Sequence, residues 1–268
     1  MGISEELFNN GTNREARLDQ VIYDCTKALV TDPGNALAYY NRGVAYGKKG
    51  QLDQAISDYT KALEMDPGNV SAYLDRGATY CVRGQWEQAI PDFTKALEID
   101  PWSDKAYVNR AVAYSVEGQL EQAFSDYARA LEIDPGNASA YYNRGLTHCI
   151  KGEREEAISD YTKALDLNPG DARVYYNRGI AHGEKGQWKQ AISDYTKALE
   201  IDPENAGPWC SKGDALNNLG IYDEAIKAYE NFIKYASPES AEDVKEIRKV
   251  IRELENRIWG KYGKLLPC

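Results

Sequence analysis

Few residues of this chain are of types that make or break bonds, and their spacing argues against catalysis. The two histidines, His148 and His182, stand 34 residues apart, in the slot that earlier holds Tyr46, Tyr80 and Tyr114. Residues that alternate with tyrosine are packing residues, and a metal would need carboxylate or thiolate ligands in register with each imidazole. Cys149 follows His148, but neighbours on a helix point about 100° apart, so the two cannot close on one ion. The five cysteines, Cys25, Cys81, Cys149, Cys210 and Cys268, show no paired spacing. An odd number without an export signal is expected as reduced thiols in the cytoplasm, with Cys268 reactive simply through exposure at the terminus. No nucleophile stands beside a base, and the glycines never follow a strand as a phosphate-cradling loop requires. The chain is therefore expected to be no enzyme and to carry no cofactor and no metal.

Two other series recur instead. Asn41, Asn109, Asn143 and Asn177 occupy one slot, with Asp75 and Ser211 standing in the same slot elsewhere. A primary amide offers one peptide unit both a donor and an acceptor, so a row of them suits holding a backbone. Arg42, Arg76, Arg110, Arg144 and Arg178 each have an aspartate sixteen residues later, at Asp58, Asp92, Asp126, Asp160 and Asp194, and both members change together to Lys212 and Ala228. Joint loss points to a bidentate pair, for which lysine is a poor substitute.

The elements that must position these residues follow from the same interval. Pro33, Pro67, Pro101, Pro135, Pro169 and Pro203 each close an Asp-Pro or Asn-Pro step, where proline stops one helix and lets the next begin. Gly43, Gly77, Gly145, Gly179 and Gly213, with Ala111 as the exception, mark a close helix approach. Ala55, Ala89, Ala123, Ala157, Ala191 and Ala225 repeat that demand four residues before an aromatic, on the same helical face. Between the two segments a glycine, Gly50 and its equivalents, suits the left-handed residue that ends a helix. Each period is thus helix, turn, helix. Such a unit cannot bury its apolar face alone, so the copies must stack.

The residues Tyr39, Gly43, Tyr46, Ala55, Tyr59, Ala62 and Pro67, with their equivalents in the later copies, make this pattern similar to the tetratricopeptide repeat family over about residues 36–239. The resemblance implies an all-α solenoid wound as a right-handed superhelix. Three segments are expected: an N-terminal half-repeat in 1–35, where Gln20 to Leu29 aligns with Gln54 to Leu63; six repeats in 36–239; and a C-terminal capping helix and tail in 240–268. Ser237 and Pro238 are expected to cap and open that last helix, with Val244, Ile247, Ile251, Leu254 and Ile258 as its apolar stripe.

In this family the amide slot faces the concave side, so the resemblance implies a groove that grips a peptide backbone. The expected peptide-binding residues are Tyr40, Asn41, Val44, Leu74, Asp75, Val108, Asn109, Val112, Tyr142, Asn143, Leu146, Tyr176, Asn177 and Ile180, an apolar trough crossed by amides. In the sixth repeat Gly207, Cys210, Ser211 and Asp214 fill these slots, and the trough is expected to fade. A clamp for the acidic tail of a chaperone is an alternative, but Tyr40 and Val44 stand where its first lysine and asparagine belong. Self-association through the terminal helices is another.

Charge narrows the partners. Acidic residues outnumber basic ones by 42 to 32, for a net charge of −10. Nonspecific nucleic-acid and anionic-membrane binding need the opposite sign, so neither is expected, and basic partners are favoured. No apolar run is long enough to insert into a membrane. The expected partner is a protein or peptide segment, and the expected role is that of an adaptor or scaffold.

Overall fold

The glycine slots explain themselves once the aromatic rings are placed. In the computed structural model, which describes the backbone of residues 3–262 and the side chains of residues 14–259, a methyl group built on Gly213 would lie 2.5 Å from the Tyr229 ring. On Gly179 it would lie 2.6 Å from Tyr195, and on Gly77 2.7 Å from Phe93. The second-helix aromatic thus lies directly on the first-helix glycine in five repeats, the third having Ala111 there, and Ala55, Ala89, Ala123, Ala157, Ala191 and Ala225 are fully buried.

The chain divides after Pro135 into two units. The first holds α1 (Ile3–Thr31), α2 (Ala36–Lys48), α3 (Leu52–Met65), α4 (Val70–Val82), α5 (Trp86–Ile99), α6 (Asp104–Val116) and α7 (Leu120–Ile133). The second holds α8 (Ala138–Lys151), α9 (Arg154–Leu167), α10 (Ala172–Glu184), α11 (Trp188–Ile201), α12 (Ala206–Asn218), α13 (Tyr222–Tyr235) and α14 (Ala241–Tyr262). Even-numbered helices α2 to α12 are the first helices of six repeats. Gly50, Gly84, Gly118, Gly152, Gly186 and Gly220 end them with φ between 70° and 87°, which only glycine adopts without strain. The turns that follow each proline also supply a cap that the proline period alone does not show. Asn35, Asn69, Ser103 and Asn137 accept a hydrogen bond from the backbone amide three residues on, while Asp171 and Asn205 accept from the amide two residues on.

Within each unit every helix packs on the next, and first helices also touch successive first helices, α2 on α4 on α6 and α8 on α10 on α12. Among the described residues no second helix touches another second helix in this way. The first helices are therefore the closer-spaced layer, and each unit has them on its inner side.

All five arginine–aspartate pairs form as forks. Arg110 donates from Nε and Nη2 to Asp126 Oδ2 and Oδ1 at 2.7 and 2.8 Å, and the other four repeat this geometry within 0.1 Å. The aspartates are buried. A third bond was not anticipated: Nη1 of Arg42, Arg76, Arg110 and Arg178 donates to Thr26, Thr60, Thr94 and Thr162, sixteen residues earlier on the preceding second helix. Each of these arginines therefore ties its own hairpin and also the repeat before it.

At the N-terminal end the described residues in front of Gln20 continue α1 itself, and the half-repeat has no separate partner helix among them. The C-terminal end differs from expectation in detail. A single 3₁₀ turn, Pro238–Ser240, precedes α14, and the Ser237 hydroxyl donates to Glu239 Oε2 at 3.1 Å, not capping a backbone amide. On α14, Leu254 is buried and Ile247, Val250 and Ile251 pack with it against Leu216, Ala228 and Tyr229, so three residues of the expected stripe and Val250 form this contact, while Val244 and Ile258 are not part of that cluster. Cys268 lies outside the described residues.

Candidate functional site: the inner face of the first helices

Adjacent residues on a first helix divide between two environments. The slot just before the amide ladder turns into the repeat stack. There the rings of Tyr40, Tyr142 and Tyr176 lie over Tyr59, Tyr161 and Tyr195, with centroids 5.9–6.1 Å apart. Leu74 and Val108, in the same slot, are 9% and 7% exposed, and Leu74 belongs to the cluster around Phe93 and Leu97. These two residues fill the space between repeats and present little surface to a ligand.

The tyrosines of that slot reach forward to the ladder residue of the next repeat. Tyr40 donates from its hydroxyl to Asp75 Oδ2 at 2.9 Å, Tyr142 accepts from Asn177 Nδ2 at 3.0 Å, and Tyr176 Oη lies 3.4 Å from Ser211 Oγ. Burial, and next the Asp75 carboxylate, push the Tyr40 hydroxyl up to about 12, so it remains a donor at neutral pH. Burial raises Tyr142 as well, while the charge of Arg173 opposes it. Sequence spacing alone did not reveal these links, although the interval of thirty-five residues between partners is constant.

The ladder is consequently not uniform. Asn143 donates from Nδ2 to Ser139 O at 2.9 Å and Ser139 Oγ at 3.2 Å within its own helix. Asn177 is held by Tyr142. Asn41 and Asn109 make no side-chain hydrogen bond among the described residues, and so keep both amide functions for a ligand. Asn41 and Val44 line an open hollow of about 440 Å³ between α1 and α2, together with Leu18, Val21 and Asp24. Val82 and Val116, two turns past the ladder slot, are 73% and 53% exposed in the first unit, and Ile150 is 63% exposed in the second. Val112, Leu146 and Ile180 are half-buried, Leu146 packing partly against the cluster around Tyr161.

In the second unit Tyr142, Ser139, Asn168 and Arg173 surround a smaller cavity of about 290 Å³. The Arg173 guanidinium stacks 5.5 Å from the Tyr142 ring centre and forks onto Asp171, from Nε at 3.1 Å and Nη2 at 2.7 Å. That arginine is already paired, which holds the Asp171 carboxyl below the usual carboxylate range.

The histidines are packing residues with hydrogen bonds inside their own repeats. His148 Nδ1 lies 2.8 Å from Glu153 Oε2, and His182 Nδ1 lies 2.6 Å from Gln187 Oε1. Among the described residues no group of histidine, cysteine and carboxylate side chains is arranged to hold a metal, and no helix is long and apolar enough to cross a membrane.

The fold and these sites find counterparts among known proteins. Sequence patterns described as tetratricopeptide repeat match residues 36–69, 70–103 and 172–205, with further tetratricopeptide patterns at 117–149, 147–186 and 194–227. No curated protein sequence matches the chain. Among solved structures, that of MamA is similar at 33% identity, over 64% of this chain and 93% of that one, with a TM-score of 0.55. YrrB, a tetratricopeptide repeat protein with an unusual peptide-binding site, is similar at 26% identity, over 69% and 95% of the two chains, with a TM-score of 0.54. A tetratricopeptide repeat protein from Parabacteroides merdae shares the fold at 19% identity, over 90% and 99%, with a TM-score of 0.66. With its glycine–aromatic contacts, its left-handed helix ends and its matched periods, the chain belongs to the tetratricopeptide repeat family.

Proposed function

We propose that this protein is a non-catalytic adaptor that holds a segment of a partner protein against the inner face of its first helices. The observation that carries this is the pair Asn41 and Asn109, unengaged amides on that face, with the exposed side chains of Val82 and Val116 two turns past the ladder slot of α4 and α6. An unsatisfied amide beside apolar surface suits an extended backbone whose side chains are apolar. The likeness to YrrB, a protein with a peptide-binding site, supports the same use. The occupied guanidinium of Arg173 argues against a chaperone-tail clamp. Cys25, Cys81, Cys149 and Cys210 are free thiols, which suits a reducing compartment such as the cytoplasm.

The test is a peptide selected on the immobilised protein from a random library, with its affinity then measured by calorimetry. Asn41→Ala and Asn109→Ala are each expected to weaken it by about 1 kcal/mol, one hydrogen bond, because those amides are free to bond the ligand. Asn143→Ala, whose amide nitrogen is engaged within its helix, is expected to cost less. Unchanged affinity in both Asn41→Ala and Asn109→Ala would move the site off this face.

A further inference from the structure

The sixth repeat breaks the pattern at one point that the groove as described does not use. In five repeats the slot three residues past the ladder is apolar, Val44, Ala78, Val112, Leu146 and Ile180, whereas the sixth has Asp214. Asp214 borders an open cleft of about 590 Å³ between α10, α11 and α12, with Trp188 and Tyr195 as aromatic walls, Ile180 as an apolar wall and Asn217 at its rim. Gly183 opens the way to both rings: a methyl group built there would lie 3.5 Å from the Tyr195 hydroxyl and 3.6 Å from Trp188. Among the described residues no lysine, arginine or histidine pairs with Asp214. Its one side-chain partner is the Tyr229 hydroxyl, which donates to Oδ1 at 2.8 Å and leaves Oδ2 open. Glu184, at the edge of the same cleft, is by contrast neutralised by Arg154.

We propose that this cleft is a receptor for one basic side chain, lysine or arginine, of a partner segment. Its apolar stem would lie along Ile180 and the aromatic walls, and its charge would reach Asp214 Oδ2. A cation is matched here in three ways: a carboxylate without a counter-ion, an aromatic face that attracts positive charge, and a chain of net charge −10 that draws cations from a distance. An anion would meet the unpaired charge of Asp214, and a purely apolar side chain would leave Asp214 Oδ2 covered and unpaired, which is costly. The proposal rests on the groove reading only in taking the first-helix side as the side a partner reaches.

The test uses the whole chain and an acetylated arginine hexapeptide, with lysine and glutamate hexapeptides alongside. Binding is followed through the Trp188 indole resonance, which Trp188→Phe identifies. The arginine and lysine peptides are expected to shift that resonance and the glutamate peptide to leave it alone. Asp214→Asn is expected to weaken binding by roughly tenfold or more, the loss of one charged hydrogen bond. Gly183→Leu, which fills the cleft and keeps the carboxylate, is expected to do the same and decides the matter should Asp214→Asn fail to fold. Glu64→Gln makes the same charge change on an exposed ion pair elsewhere and is expected to leave binding within about twofold, the range of a screened surface charge. Equal losses in Asp214→Asn and Glu64→Gln, or an unmoved Trp188 resonance, would overturn the proposal. Neither result depends on Asn41 or Asn109, so the groove reading stands or falls separately on its own calorimetry.

Discussion

Removing Asp126 is expected to harm the fold more than removing Asp126 and Arg110 together. In Asp126→Leu the guanidinium loses two bonds, at 2.7 and 2.8 Å, and keeps one to Thr94 at 3.1 Å. It stays beneath the rings of Tyr107 and Tyr114, each 5.8 Å away, with 17% of its side chain exposed. Water reaches it only in part. Each charged bond contributes about 1.5–3 kcal/mol, and partial hydration recovers some of this, so a loss of about 3 kcal/mol is expected. In Arg110→Met with Asp126→Leu no orphan charge remains, and the apolar replacements sit among Tyr107, Tyr114 and their neighbours, so about 1–2 kcal/mol is expected. The assay is urea unfolding of the parent, both single variants and the double variant. A coupling energy of about 1–3 kcal/mol would agree with the geometry, and one below about 0.5 kcal/mol would show that the fork is no more than two independent surface charges.

Two glycines give opposite expectations in the same kind of helix. Gly213→Ala places a methyl group 2.5 Å from the Tyr229 ring and should destabilise by about 1–3 kcal/mol, whereas Gly183→Ala meets nothing nearer than 3.5 Å and should stabilise by about 1 kcal/mol; thermal unfolding midpoints that move the same way would contradict the contrast. Burial raises the thiols of Cys81 and Cys210 from 9.0 to about 11, so at pH 8 each should be alkylated about a hundredfold more slowly than a free thiol, and equal rates in native and urea-unfolded protein would refute this. Because the neutral thiol is the form the fold favours, its contribution is complete below about pH 9, where the unfolded thiol begins to ionise. It is lost as pH rises toward about 11, a decline that urea titrations across that window would detect.

The fold was legible because every repeat carries the same steric argument. Gly43, Ala55 and Tyr59 answer one another, and their slots hold only small residues and an aromatic in every copy, Ala111 and Phe93 included. The arginine–aspartate fork was legible for a related reason, since Lys212 and Ala228 change together. The threonine bond was harder to see because threonine on a second helix also bonds its own backbone, as Thr60 does to Ile56 O at 2.8 Å, and so reads as a self-contained residue. The candidate site was legible as a face but not as a set of free groups. Which of Asn41, Asn109, Asn143 and Asn177 is free depends on Ser139 and on a tyrosine hydroxyl thirty-five residues earlier, and these meet only once neighbouring repeats are packed. Leu74 and Val108 looked like pocket walls because adjacent helical slots diverge by about 100°, enough to carry one residue into the stack while the next faces out.

The arginine that reaches sixteen residues back to a threonine and sixteen forward to an aspartate has a consequence for how such a chain can change length. Both reaches are shorter than the period, and the first, second, fourth and fifth repeats carry all three residue types, whereas the third has Ala128 in place of the threonine and the sixth has Lys212 and Ala228. Excising or duplicating one whole period among complete repeats therefore returns an arginine to a threonine and an aspartate at the same separations. An insertion of any other size within that span would break one reach or the other. The molecule is consequently tolerant of copying and intolerant of stuttering, and its natural currency of variation is the whole turn of the array.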